Sequence, residues 1–203
     1  MVKKVIFDLD NTLFNTKKDC VEAYDEFFLK YDFGIKGIDL YNKIDEMNYN
    51  GVTQIDGFYI FLKEYLGDNF TEDIFKDFKK IYISHGTLLF DNTSEVLEYL
   101  SKKYELYTLS NWFYEFQIGK LDNHNLSKYF KEIYTIDNFG RKPAIDVYKK
   151  VCEPYEFSEC CMIGDSLKDD IIYANLYGMK TIYIGEHEDY VSIKNLDELK
   201  NIL

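Results

Sequence analysis

The sequence predicts an α/β protein: a doubly wound parallel sheet with an all-helical domain inserted after its first strand. Two observations carry that prediction. Five short apolar runs, at residues 5–9, 106–110, 133–136, 160–164 and 181–184, are rich in β-branched or aromatic residues. Near-continuous apolar runs of that length suit strands buried on both faces of a parallel sheet. Stretches of helical periodicity separate the later runs, and strand–helix alternation is what a doubly wound sheet requires.

The first run closes in Phe7-Asp8-Leu9-Asp10-Asn11-Thr12. Residues 16–85 then carry helical periodicity and no strand. Cys20, Tyr24, Phe27, Phe28 and Tyr31 share one face; Phe58, Phe61, Leu62, Tyr65 and Leu66 a second; Ile74, Phe75, Phe78 and Ile81 a third. Thr71-Glu72-Asp73 reads as an N-cap followed by an acidic first turn. A strand-to-helix connection is normally short, so 16–85 is expected to be an inserted helical cap, with 1–15 and 86–203 forming the α/β core. Val96, Leu97, Leu100 and Tyr104 make the first helical stripe of the core. Ile145, Val147, Tyr148 and Val151 make the next, with Pro143 placed to start that helix. Ile171, Ile172, Ala174 and Leu176 make a third, and Asn195 with Glu198 forms a capping pair for a last helix.

Composition narrows the function classes. The 203 residues carry a net charge of −12 and 46% hydrophobic residues. There is enough apolar material for a core. The acidic surface repels nucleic acid and anionic lipid, so neither is an expected partner. A phosphorylated substrate would need a local cation. The four cysteines, Cys20, Cys152, Cys160 and Cys161, form no CxxC pair, and the three histidines, His85, His124 and His187, are scattered, which argues against a zinc site. Reduced, buried thiols are expected, with Cys160 and Cys161 on opposite faces of their strand. The apolar run at the N-terminus is too short for a signal peptide, and no run reaches membrane-spanning length. A soluble cytoplasmic protein is the expectation.

Polar residues cluster at the ends of the apolar runs. Asp8 and Asp10 close the first; at spacing two they lie on one side of an extended chain, and two carboxylates at the end of a buried strand are costly unless paired with a cation. Ser110 and Asn111 close the second run. Lys142, in Gly140-Arg141-Lys142-Pro143, follows the third; ahead of a helix N-terminus it is electrostatically reversed unless it faces an anion. The fourth closes in Gly164-Asp165-Ser166, with Asp169 and Asp170 just beyond. Hard oxygen ligands at a strand end suit Mg²⁺. The carboxyl ends of the strands are also where a doubly wound sheet binds ligands.

These residues resemble the haloacid dehalogenase superfamily. Residues 7–13 match its first motif, Ser110 its second, Lys142 its third, and Gly164-Asp165-Ser166 with Asp169 or Asp170 its fourth. The two acids represent the two spacings the superfamily uses. The helical insertion resembles its type-1 cap on a Rossmann-like core. Asp91-Asn92-Thr93 departs from the Pro-Gly turn of many members. The resemblance implies a Mg²⁺-dependent phosphatase acting on a small phosphorylated metabolite. Asp8 would be the nucleophile, forming an aspartyl phosphate. Asp10 would be the acid and base, holding a proton near neutral pH. Ser110, Asn111 and Lys142 would bind phosphate. Mg²⁺ would be held by Asp8, the Asp10 main-chain carbonyl and Asp165, with Thr12, Asp169 and Asp170 in support.

Asp10 argues against a dehalogenase or phosphonatase, which generally lack the second acid. A phosphomutase of the same superfamily keeps both. A phospho-acceptor signalling or binding protein of the receiver class carries its acceptor Asp on the third strand and has no cap. Leaving-group specificity would come from the cap, where the Asn48-Tyr49-Asn50-Gly51 loop is one candidate; Trp112, next to Ser110 and Asn111 in the core, is a candidate for the pocket mouth. Sugar phosphates, phosphoglycolate and nucleoside monophosphates all fit the motifs.

Overall fold

The computed structural model describes residues 1–48 and 51–203; the Tyr49-Asn50 pair of the candidate cap loop lies outside them. Among the described residues, six strands form one sheet: β1 (Lys4–Phe7), β2 (Glu105–Ser110), β3 (Glu132–Thr135), β4 (Cys160–Gly164), β5 (Lys180–Ile184) and β6 (Ser192–Ile193). Their order is β3-β2-β1-β4-β5-β6, with every pairing parallel. The five runs read from sequence are all strands. The sixth, only two residues long at the sheet edge, is too short for an alternation to show.

Side chains alternate along the central strands. Val5 and Phe7 of β1 face one core layer with Cys161 and Ile163 of β4. Ile6 faces the other with Cys160 and Met162, which places the adjacent cysteines on opposite faces. All four cysteines are free and buried. Helix α5 (Thr93–Ser101) covers the first face through Val96, Leu97 and Leu100, and α7 (Ile145–Cys152) covers the second through Tyr148 and Val151.

Between β1 and α5 the described residues make four helices: α1 (Thr16–Lys30), α2 (Gly37–Asn48), α3 (Ile55–Leu66) and α4 (Glu72–Ser84). Thr71 caps α4, accepting from the Ile74 amide. An aromatic cluster joins these helices to α6 (Tyr114–Asn123), which follows β2. Phe58 is its hub, 5.2 Å from Trp112, 5.4 Å from Phe113 and 6.0 Å from Phe116 between ring centroids.

Several expectations need correction. Two helices are absent from the sequence reading: α2, although Leu40, Ile44 and Met47 form a buried stripe on it, and α6, whose buried face mixes Phe116 and Leu121 with Gln117 and Lys120. Pro143 does not open α7. The Lys142 loop is pinned by Asn111, so Ala144 is still extended (φ −59°, ψ 130°) and the helix begins at Ile145. Ile145 is exposed. The stripe at 171–176 also breaks. Residues Leu167–Ile172 wind as a π-helical turn, which changes the angular step per residue. Ile171 and Ala174 are buried, while Ile172 and Leu176 face outward. No helix among the described residues is long and apolar enough to cross a membrane.

Phe58→Ala should lower the unfolding free energy by about 3–5 kcal/mol, the usual cost of emptying a buried phenylalanine site. Chemical denaturation measures it. A loss below about 1 kcal/mol would show that the cap–core cluster can collapse around the cavity.

Candidate active site

The strand order reverses direction at β1, and the polar residues gather at the carboxyl ends of β1 and its neighbours. Asp8 extends β1 by one residue, its amide bonding the Ile163 carbonyl at 2.8 Å. The chain then turns back sharply. Asn11 adopts φ +55°, a left-handed conformation that asparagine tolerates better than most residues. The amides of Leu13 and Phe14 both bond the Leu9 carbonyl. Thr12 is fully buried beneath this turn, its hydroxyl without a protein partner.

The centre of the site is a buried ion cluster. The Lys142 ammonium, 2% exposed, lies 2.6 Å from Asp8 Oδ1 and 2.6 Å from Asp170 Oδ1. Asn111 positions the lysine: its side chain accepts from the Lys142 amide at 2.8 Å and donates to the Lys142 carbonyl at 3.2 Å. After β4, Ser166 caps the next turn by accepting from the Asp169 amide at 3.1 Å, and its own amide donates to Asp170 Oδ2 at 3.1 Å. Asp8, Asp165 and Asp170 offer carboxylate oxygens within 4.8 Å of one another. Asp169 stands outside that group; its carboxylate accepts from Asn111. Of the two acids the fourth motif left open, Asp170 is the one beside Asp8 and Lys142.

Asp10 belongs to a second cluster. Its Oδ1 accepts from Lys120 at 2.6 Å and from Thr16 at 2.8 Å, and its Oδ2 accepts from Gln117 at 2.6 Å. Gln117 also donates to Ser110 Oγ at 2.7 Å. Ser110 is buried at the end of β2 and does not line the cavity in front of Asp8. That cavity, about 280 Å³, lies between the strand ends and the cap. Its core side is Asp8, Asp10, Asn111, Lys142, Asp165 and Asp170; its cap side includes Tyr24, Tyr41, Ile44, Asp45 and Tyr82, with Trp112 between the two.

Protonation follows from this charge balance. Burial, with repulsion from Asp170, Asp165 and Asp10, outweighs Lys142 and pushes the Asp8 carboxyl well above the usual range. Burial and Asp170 push Asp165 up to about 7. Asp170 is also raised, by burial. Asp10 goes the other way. Burial would raise it, but Lys120 and the hydrogen bonds from Lys120, Thr16 and Gln117 outweigh burial and hold it low. The expectation that Asp10 holds a proton near neutral pH therefore fails in this conformation; the buried ammonium beside it decides the matter.

Comparison with known proteins agrees with this geometry. The family model described as haloacid dehalogenase-like hydrolase matches residues 5–184. This chain belongs to the haloacid dehalogenase-like hydrolases. A glyceraldehyde 3-phosphate phosphatase from Methanothermobacter thermautotrophicus is 24% identical over 97% of this chain and 94% of its own length. A phosphoglycolate phosphatase from Aquifex aeolicus is 30% identical over 83% of this chain and 78% of its own. Among solved structures, the HAD-hydrolase YfnB of Bacillus subtilis, described as bound to magnesium, superposes with a TM-score of 0.76 at 22% identity, covering 99% of this chain and 98% of that one.

As a haloacid dehalogenase-like hydrolase, the chain has a donor set that fits a hard divalent cation. Three buried or half-buried carboxylates face one ammonium, and burial, together with this surplus of negative charge, raises Asp8 and Asp165. Oxygen ligands in this number suit Mg²⁺. The motif pattern did not point to Thr16, Gln117 or Lys120. A lysine three residues after a glutamine ordinarily reads as the wet side of a helix; the one available signal was that Phe116 and Leu121 flank them on the same side.

Gly164 makes room for the ion cluster: a Cβ there would overlap the Asp170 carboxylate. Gly164→Ala should therefore displace Asp170 from Lys142 and cut turnover by about 10²-fold or more, the scale of a misplaced catalytic group. Steady-state kinetics on the folded variant measures this, and unchanged turnover would show that Asp170 is not needed where it sits.

Proposed function

We propose that this hydrolase is a Mg²⁺-dependent phosphatase acting on a small phosphomonoester through a phosphoryl group carried on Asp8. The observation that carries the reading is Asp8 at the cavity floor, beside Lys142 and two residues before Asp10. Relatives named as phosphatases support it. Asp8 and Asp165 would hold Mg²⁺ with the Asp10 main-chain carbonyl, and Asp170 would support them. Bound there, Mg²⁺ supplies positive charge to offset the carboxylates and the substrate phosphate.

In the first step an Asp8 oxygen bonds to phosphorus as the ester P–O bond breaks. Asp10, when protonated, gives its proton to the departing oxygen. In the second step the Asp10 carboxylate takes a proton from water. The water oxygen bonds to phosphorus, and the Asp8–phosphorus bond breaks. Lys120, Thr16 and Gln117 hold the Asp10 carboxyl low, which favours the carboxylate that the second step needs. Lys142 neutralises charge near the transferring group, where phosphoryl transfer draws most of its catalysis. Asn111, which lines the cavity, completes the phosphate side; Ser110 lies outside that lining and is linked to Asp10 through Gln117. The cap closes the cavity over the leaving group. Its tyrosines and Asp45 offer hydroxyl and carboxylate contacts, which favour a hydroxylated leaving group such as a sugar or nucleoside.

Phosphate release from a panel of small phosphomonoesters tests the reading. Wild-type protein should release phosphate with Mg²⁺ and stop when the metal is chelated. Asp8→Asn should be inactive and folded. Metal-independent release, or release by purified Asp8→Asn, would overturn the reading. Migration of phosphate between positions of one sugar without release would favour a mutase.

A further inference from the structure

We propose that Gln117 and Lys120 are positioning residues that aim Asp10 through a single oxygen, Oδ2, and hold it in register with Ser110. The proposal rests on the phosphatase reading above, and it assigns to α6 a part in proton transfer.

Counting lone pairs makes the case. A carboxylate oxygen accepts two hydrogen bonds. Asp10 Oδ1 takes both, from Lys120 at 2.6 Å and Thr16 at 2.8 Å. Oδ2 takes one, from Gln117 at 2.6 Å. One lone pair on Oδ2 is thus left free, and that is where a proton can arrive or depart. The Gln117 amide nitrogen spends its second hydrogen on Ser110 Oγ at 2.7 Å. The Asp10 carboxylate can only accept, which turns the amide nitrogen toward it and leaves Gln117 Oε1 buried without a partner. Ser110 Oγ also accepts from the Trp112 amide at 3.2 Å. With both its lone pairs taken, the hydroxyl can only donate. One amide thereby sets the proton-transfer oxygen and the donor hydroxyl together.

Lys120 is held as firmly as its partner. It is 2% exposed. Its ammonium lies 5.1 Å from the Phe14 ring centroid and 5.7 Å from that of Tyr82. Its stem fills the space over Gly86, where a Cβ would come within 2.6 Å of Lys120 Cγ. A buried ion pair is a poor source of net stability compared with apolar side chains of similar size. Its specific return here is orientation: the pair occupies Oδ1 and so fixes which Asp10 oxygen keeps a free lone pair.

The test compares two esters that differ in their need for a proton. An alkyl phosphate such as glycerol phosphate must have its leaving oxygen protonated; p-nitrophenyl phosphate leaves unaided. Gln117→Leu should lower kcat on the alkyl ester by about 10²-fold, the scale of general acid–base catalysis, and on the aryl ester by only a few-fold. Lys120→Met, which keeps the apolar stem, should show the same split if Gln117→Leu does not fold. In an Asp10→Asn background neither change should matter further, because residues acting as one unit are not additive. Equal losses on both esters, or full additivity with Asp10→Asn, would make the pair merely structural and overturn the proposal. A wild-type protein inert toward both esters would instead overturn the phosphatase reading beneath it.

Discussion

One buried ammonium shared between two carboxylates organises this molecule. Lys142 touches Asp8 from β1 and Asp170 from beyond β4, so it ties together the two strands that meet where the sheet reverses. Like charges about 4 Å apart repel by about 4 kcal/mol at an effective dielectric of 20. Without the lysine these carboxylates could not share a dry strand end, and removing one partner of such a buried cluster typically costs about 3–5 kcal/mol. Much of the nearby architecture serves to keep the lysine in place. Asn111 grips its backbone on both sides, and Gly164 leaves the space that Asp170 occupies. Because a single ammonium does not balance Asp8, Asp165 and Asp170, the same cluster creates the demand for a divalent cation that the proposed chemistry uses.

Asp10 lives under a different regime only two residues away. Its counter-charge comes from α6, and its third contact, Thr16, is the first residue of α1. The two acids of the first motif are therefore held by separate cations, one in the strand-end cluster and one at the seam between core and cap. That separation keeps their protonation states apart: burial and neighbouring acids raise Asp8, while Lys120 lowers Asp10. Two carboxylates whose surroundings push them in opposite directions are suited to different roles in one reaction. The aromatic cluster around Phe58 packs cap helices directly on α6, so the same helix bears the cap and the contacts of Asp10.

What the sequence discloses follows from how each residue is buried. The strands of the sheet are apolar on both faces, so their runs stand out, and polar residues at their ends mark the ligand side of the sheet without any structure. Asp8, Lys142 and Asp165 are legible for that reason. Asp169 and Asp170 are adjacent, and spacing alone cannot choose between them; the π-helical winding after Ser166 turns Asp170 inward and leaves Asp169 to Asn111. Gln117 and Lys120 are hidden by the opposite effect. Buried polar residues on α6 dilute the apolar stripe, so the helix itself goes unannounced along with the residues on it. Their burial depends on Asp10, which lies 107 and 110 positions earlier in the chain, and no local pattern carries that information.

The central claim is that Asp8 carries the phosphoryl group. Acid quenching during turnover, followed by borohydride reduction and peptide mass spectrometry, tests it most directly, because reduction converts an aspartyl phosphate to homoserine. The account predicts homoserine at position 8, present only with substrate and Mg²⁺ and absent from a sample quenched after substrate is exhausted. Steady phosphate release with no modification at position 8 at any time would mean that water attacks phosphorus directly, and would contradict it.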